Sequence, residues 1–225
     1  MISIRIYRSI GPISKLGRRC VSTLPNSPHI YHFPHPNPAY GHILTLLPTS
    51  PPTQSLAIAT STSIPPTPQS TTENPKFLSI LNAILRDNVV HDPVVQASAN
   101  AFASSAGSSY PATLSQPAQQ RKRRGEGAGG ASAQGGMGGA GRGGWVHVSD
   151  LRNPPDYGRI ANPEDIFGSV EVDGRGQFVE EGGNFQESGT YRIVTREGIL
   201  GLSPYMRETL IQRLKELESR EKKTS

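Results

Sequence analysis

Cysteine occurs once in the chain, at Cys20, so no intramolecular disulfide can form. No aspartate or glutamate precedes Glu73. No apolar run approaches the ~18 residues of a membrane-spanning helix. No Gly-Lys dipeptide occurs, which excludes a Walker A phosphate loop. Ser169 lacks the flanking glycines of a Gly-x-Ser-x-Gly nucleophile elbow. Hydrophobic residues make up only 34%, against 24 Gly and 20 Pro, so the core is expected to be small and the linkers extensive.

Charge is unevenly placed. Arg5, Arg8, Lys15, Arg18 and Arg19 account for the whole formal net charge of +5, and the rest of the chain is neutral. A basic face for nucleic acid is therefore not implied for the body of the protein. At the amino terminus Ile2, Ile6, Ile10, Ile13 and Leu16 fall within an arc of about 120° on a helical wheel, with the basic residues opposite. Ile4 departs from the stripe and Gly11-Pro12 interrupts it. An acid-free, arginine-rich amphipathic start predicts a mitochondrial transit peptide over residues 1–20, with Arg18-Arg19-Cys20-Val21-Ser22 as the processing site. Cleavage there removes the only thiol.

Residues 21–40 read as a Pro/His-rich linker. His29, His32 and His35 recur every three residues, the period of polyproline II, which would place them on one edge. A zinc site needs three or four rigidly held ligands, so a solvated spacer is expected. Residues 41–104 form the first half of a domain, with strands at His42–Leu47 and Leu56–Thr60 and a Pro/Ser/Thr linker over Ser61–Thr72. Asn74-Pro75 and Asp92-Pro93 each place a capping side chain before a proline at the first helical position. The helices that follow carry apolar stripes of Phe77, Leu81, Ile84 and Leu85, and of Val94, Val95, Ser98, Ala101 and Phe102.

Residues 105–143 are a low-complexity basic and glycine-rich insertion. Its Gly136–Gly141 matches G-x-G-x-x-G without the flanking strand and helix that give the motif meaning. Arg121–Arg124 and the single Arg142-Gly143-Gly144 lack the interleaved aromatics of a stacking platform. Residues 144–218 form the second half. Strands are expected at Trp145–Val148, Ile166–Val172 and Thr190–Thr195, a turn at Asp150–Pro155 and a hairpin at Asp173-Gly174. Ser203-Pro204 opens a final helix with apolar residues Met206, Leu210, Ile211, Leu214 and Leu217. Glu216 with Arg220 and Glu218 with Lys222 are expected as pairs on its outer face. Residues 219–225 are a charged tail. The fold class that follows is α+β: a small, mostly antiparallel sheet covered by three helices, with the insertion inside one domain.

Candidate chemistry gathers near His147, where Asp150, Asp156, Glu164, Asp165, Glu171 and Asp173 crowd one stretch. Acid–base or metal work needs two or more of these to converge. Turn, cap and hairpin roles explain them as well. No catalytic, cofactor-binding or metal-ligating residue is assigned.

The segments WVHVSDLRNPPDYGRI, PEDIFGSVEVDG and TYRIVTREGILGLSPYMRETLIQRLKEL resemble a small family of fungal mitochondrial proteins without an assigned function. The resemblance spans Gly144 to about Leu217, and more loosely His42 to Phe102. It supplies no catalytic residues and implies the mitochondrial address. The expected function is that of a non-enzymatic accessory or assembly factor of the mitochondrial matrix, acting through a protein partner and without a cofactor. Two alternatives remain. One is an RNA-associated protein using Arg121–Arg124 and the glycine-rich loop; the other is a hydrolase or metal enzyme using His147 and the carboxylates.

Overall fold

The computed structural model describes residues 22–107, 143–156 and 159–224. The expected transit peptide, Cys20, Arg121–Arg124 and the Gly136–Gly141 motif lie outside them. The described residues form an α+β fold of antiparallel sheets and three helices.

Five strands make a meander in chain order: β1 (Ser22–Leu24), β2 (Ser27–Pro34), β3 (His42–Thr45), β4 (Ala59–Ser61) and β5 (Thr71–Glu73). The linker expected over residues 21–40 is thus corrected, because most of it is the β1–β2 hairpin. Its prolines do not prevent this. Pro28 sits where the β1–β2 register shifts between Thr23 and Leu24, and Pro34 is the last residue of β2. A residue with no N–H is tolerated at such bulges and ends. Leu24 and Ile30 reach the core. The linker expected at Ser61–Thr72 is likewise a hairpin connection between β4 and β5. It is held by the Ser70 hydroxyl, which accepts from the Thr67 N–H at 2.9 Å and from the Ser63 hydroxyl at 2.8 Å.

A second sheet has the order β6 (Gly144–Ser149), β7 (Ile166–Val172) and β8 (Gln186–Glu187). The hairpin signal at Asp173 is realised, since its Oδ1 accepts from the Arg175 and Gln177 N–H groups, both at 2.8 Å. The strand expected at Thr190–Thr195 shrinks to β9 (Val194–Thr195), paired with β10 (Gly198–Ile199). Side chains take the backbone groups that a ladder would need. The Ile193 N–H donates to Glu73 Oε1 at 2.9 Å, and the carbonyls of Arg192 and Ile193 accept from Arg152.

Helix α1 (Pro75–Asn88) starts as its sequence requires: Asn74 Oδ1 accepts from the Lys76 N–H at 3.0 Å. Its stripe of Phe77, Leu81, Ile84 and Leu85 is buried. In α2 (Pro93–Gly107), Val95 and Ala99 are buried while Val94 is 41% exposed, so the stripe is rotated from the expected one. Helix α3 (Pro204–Thr224) begins at Ser203, whose hydroxyl accepts from the Met206 N–H at 3.1 Å and donates to Asp92 Oδ2 at 2.6 Å. The caps of α2 and α3 are thereby joined. Glu218 is not on an outer face. It is buried, accepting from the Thr49 and Thr53 hydroxyls, both at 3.1 Å, while Lys222 Nζ reaches it at 3.2 Å. Glu216 pairs with Arg213 at 3.0 Å.

One buried cluster runs through both sides of the insertion. It combines Leu44, Phe77, Leu81 and Leu85 with Val146, Val170, Ile193, Leu210 and Leu214. Each such side chain contributes roughly 1.5–3 kcal/mol of transfer free energy on burial.

Candidate functional site

Strand β6 forms because Val146 and Val148 enter the core while Trp145, His147 and Ser149 alternate onto the other side, half-buried. The chain then turns at Asp150, and the turn is built around Arg152, for which the sequence pattern gives only a faint signal. Arg152 is 3% exposed at its side chain. Its Nε donates to Asp165 Oδ1 at 2.6 Å and lies 3.7 Å from Asp150 Oδ2. Its Nη1 donates to the Ile193 carbonyl at 2.7 Å, and its Nη2 to the carbonyls of Glu164 at 2.9 Å and Arg192 at 2.7 Å. The guanidinium carbon also stands 5.4 Å from the centre of the Tyr191 ring.

Asp150 completes the arrangement. Its Oδ1 accepts from the Arg152 and Gly201 N–H groups, both at 2.8 Å, and its Oδ2 from the Tyr191 hydroxyl at 2.9 Å. Position 201 must be glycine, since a Cβ there would meet the Arg152 nitrogen and lie 2.7 Å from Asp150 Oδ1. Burial raises the pKa of Asp150, against the opposing pull of Arg152 and its N–H donors. Burial, then the adjacent Asp150 charge, push Tyr191 well above the usual tyrosine range. This cluster ties three loops together. Four of the five N–H donors of its cation go to the protein's own carboxylate and carbonyls.

Beside it lies a groove of about 400 Å³ between α2, β6, residues 151–155 and 159–161, and the start of α3. Its walls are mostly apolar: Val95, Phe102, Trp145, Leu151, Phe167 and Met206 among others. Three large hydrophobic side chains are exposed among the described residues, and two of them, Val94 at 41% and Ile160 at 38%, line this groove. Trp145 to Ser149 all line it, and β6 is an outer strand, paired only with β7 among the described residues.

No family model, curated protein or solved structure matches this chain. The site must therefore be read from its own chemistry.

His147 also lines the groove. Its Nδ1 is hydrogen-bonded to the Ser169 hydroxyl at 2.8 Å, and burial lowers its pKa. Of the six carboxylates the sequence placed near it, none lines the groove. Asp150 and Asp165 meet around Arg152. Asp156 is exposed and 3.9 Å from Arg159, Glu171 accepts from Asn184 at 2.9 Å, Asp173 holds its turn, and Glu164 is exposed. The described residues gather no group of three or more His, Cys, Asp or Glu placed to hold a metal ion. The signal for Arg152 was present only faintly, as an arginine between an aspartate and a rigid Asn-Pro-Pro turn.

The Tyr191 shift has a measurable consequence. A phenol whose pKa is raised on folding contributes stability that is complete below the unfolded value near 10 and is lost as pH rises above it. Unfolding free energy is expected to fall between about pH 10 and pH 11 in the wild type. It should fall less steeply in Tyr191→Phe, as denaturant titrations at each pH would report. Equal slopes would place the alkaline loss elsewhere.

Proposed function

We propose that this protein is an accessory or assembly factor of the mitochondrial matrix. It acts by holding an extended, apolar segment of a protein partner in the groove beside β6. The observation that carries this reading is that two of the three exposed large apolar side chains among the described residues, Val94 and Ile160, lie on a groove that is also lined by an outer strand. An extended segment can add to such a strand through main-chain hydrogen bonds while its side chains enter apolar walls. The address rests on the acid-free amphipathic start of the sequence.

Val94→Asp with Ile160→Asp is expected to change stability by no more than about 0.5 kcal/mol, the usual range for exposed positions. The same pair should weaken partner association about tenfold or more, a loss of roughly 1.4 kcal/mol. A photo-crosslinker at Ile160 in the full chain, activated in mitochondria, should join an apolar, extended segment of one partner. The same probe at exposed Lys215 should not. Quenching of Trp145, the only tryptophan, reports occupancy directly. Equal crosslinking from both positions would refute the groove as the binding surface. Replacing Arg5, Arg8, Arg18 and Arg19 by Glu is expected to leave the protein in the cytosolic fraction, and unchanged import would refute the address.

A further inference from the structure

The three histidines spaced by three residues do not share an edge. The β1–β2 register shifts across residues 28–30, so His29 stands at an irregularity of β2 while His32 lies in the part paired regularly with β3, and His35 falls just beyond the strand's end. His35 is occupied locally, its Nδ1 accepting from the Asn37 N–H at 2.9 Å and its ring 5.0 Å from that of Tyr40. The companion of His32 comes instead from the next strand. The β2–β3 register sets His42 opposite Pro34 and Leu44 opposite His32, which makes the two histidines diagonal neighbours on one face. Such neighbours are within reach of long side chains. Their ring centres stand 5.4 Å apart with planes at 79°. The Nδ1 atoms of both rings are buried and have no hydrogen-bond partner among the described residues.

An unprotonated imidazole nitrogen is either an acceptor or a metal ligand. Buried polar atoms normally find partners, so two orphaned nitrogens on adjacent rings need an explanation. The geometry supplies one. Two imidazoles bonded to one ion at about 2.0–2.1 Å, with a tetrahedral angle between the bonds, have ring centres about 5 Å apart. The observed separation lies close to that value. Among the described residues neither a thiolate nor a carboxylate joins the pair, and the neighbouring Ser61 hydroxyl is committed to the Ser63 carbonyl at 2.8 Å. The donor set is two imidazoles. It suits a borderline divalent transition metal and not magnesium or calcium, which require oxygen ligands.

We propose that His32 and His42 form a two-nitrogen site for a divalent transition-metal ion, copper(II) in preference to zinc(II), clamping β2 to β3. The order of preference follows the intrinsic affinities of nitrogen ligands. Ion binding to the folded chain alone raises its stability by mass action.

Titration of the full chain with copper(II) and with zinc(II), followed by calorimetry and by melting temperature, tests the site. One equivalent is expected to bind through these residues, copper more tightly, with a rise in melting temperature for each ion. His32→Gln or His42→Gln should each weaken that binding about 100-fold, since the second ligand acts at high effective concentration. His29→Gln with His35→Gln should leave it unchanged. A second readout needs no variant: saturating zinc should slow diethylpyrocarbonate modification of His32 and His42, measured by mass spectrometry, and leave that of His29 unaltered. Wild-type-like binding in the His32/His42 double variant, protection of His29 instead, or no binding at all would each overturn the assignment.

Discussion

Replacing Arg152 by methionine is expected to cost about 3–5 kcal/mol, the penalty for removing one partner of a buried ion pair. For a domain whose total stability is on the order of 5–15 kcal/mol, that is a large fraction. The cause is specific. Asp150 and Asp165 are 0% and 1% exposed at their side chains, and without the guanidinium they stay buried with no cation between them. The carbonyls of Glu164, Arg192 and Ile193 lose donors at the same time. Arg152→Lys should recover only part of the loss, because an ammonium cannot reproduce the planar fork that serves carboxylate and carbonyls together. Thermal melts of the three proteins decide the matter. A methionine variant within about 1 kcal/mol of the wild type would mean that the cluster relaxes around the missing charge.

Two separate polypeptides, residues 22–107 and 143–225, are expected to be unfolded alone and to fold on mixing. The first holds five strands and two helices, yet Phe77, Leu81 and Leu85 lie in a cluster completed by Ile193, Leu210 and Leu214 from the second. Polar ties cross the same boundary: Glu73 to the Ile193 N–H, Asp92 to Ser203, and Thr49 and Thr53 to Glu218. Splitting the chain leaves each set of apolar side chains exposed and its polar partners unmatched. The covalent connection itself contributes only closure entropy, which grows with the logarithm of loop length. Circular dichroism of each fragment and of the equimolar mixture tests this. A cooperative melt from residues 143–225 alone would make the second half an independent domain.

Local chemistry determined much of this fold from the sequence. Asn74-Pro75, Asp92-Pro93 and Ser203-Pro204 fixed the three helix starts, because a cap and a proline at the first turn act within a few residues. The alternation of Ile166 to Val172 and the Asp173 turn acted at the same range. The apolar stripe of α1 was legible for the same reason, since its period is intrinsic to the helix. Only the tertiary structure decided the rest. Residues 22–34 became strands because β3 and the core supplied partners that a proline-rich composition does not announce. The strand shortened at Arg192 and Ile193 because Arg152 took the Arg192 carbonyl and Glu73 the Ile193 N–H, both from residues distant in sequence. Glu218 was drawn inward by two threonines far away in the chain. The groove at Trp145, and the pairing of His32 with His42 in place of His29 and His35, depend on which segments lie side by side. Nearest-neighbour patterns carry no record of that, because such contacts are set by the packing of the whole chain.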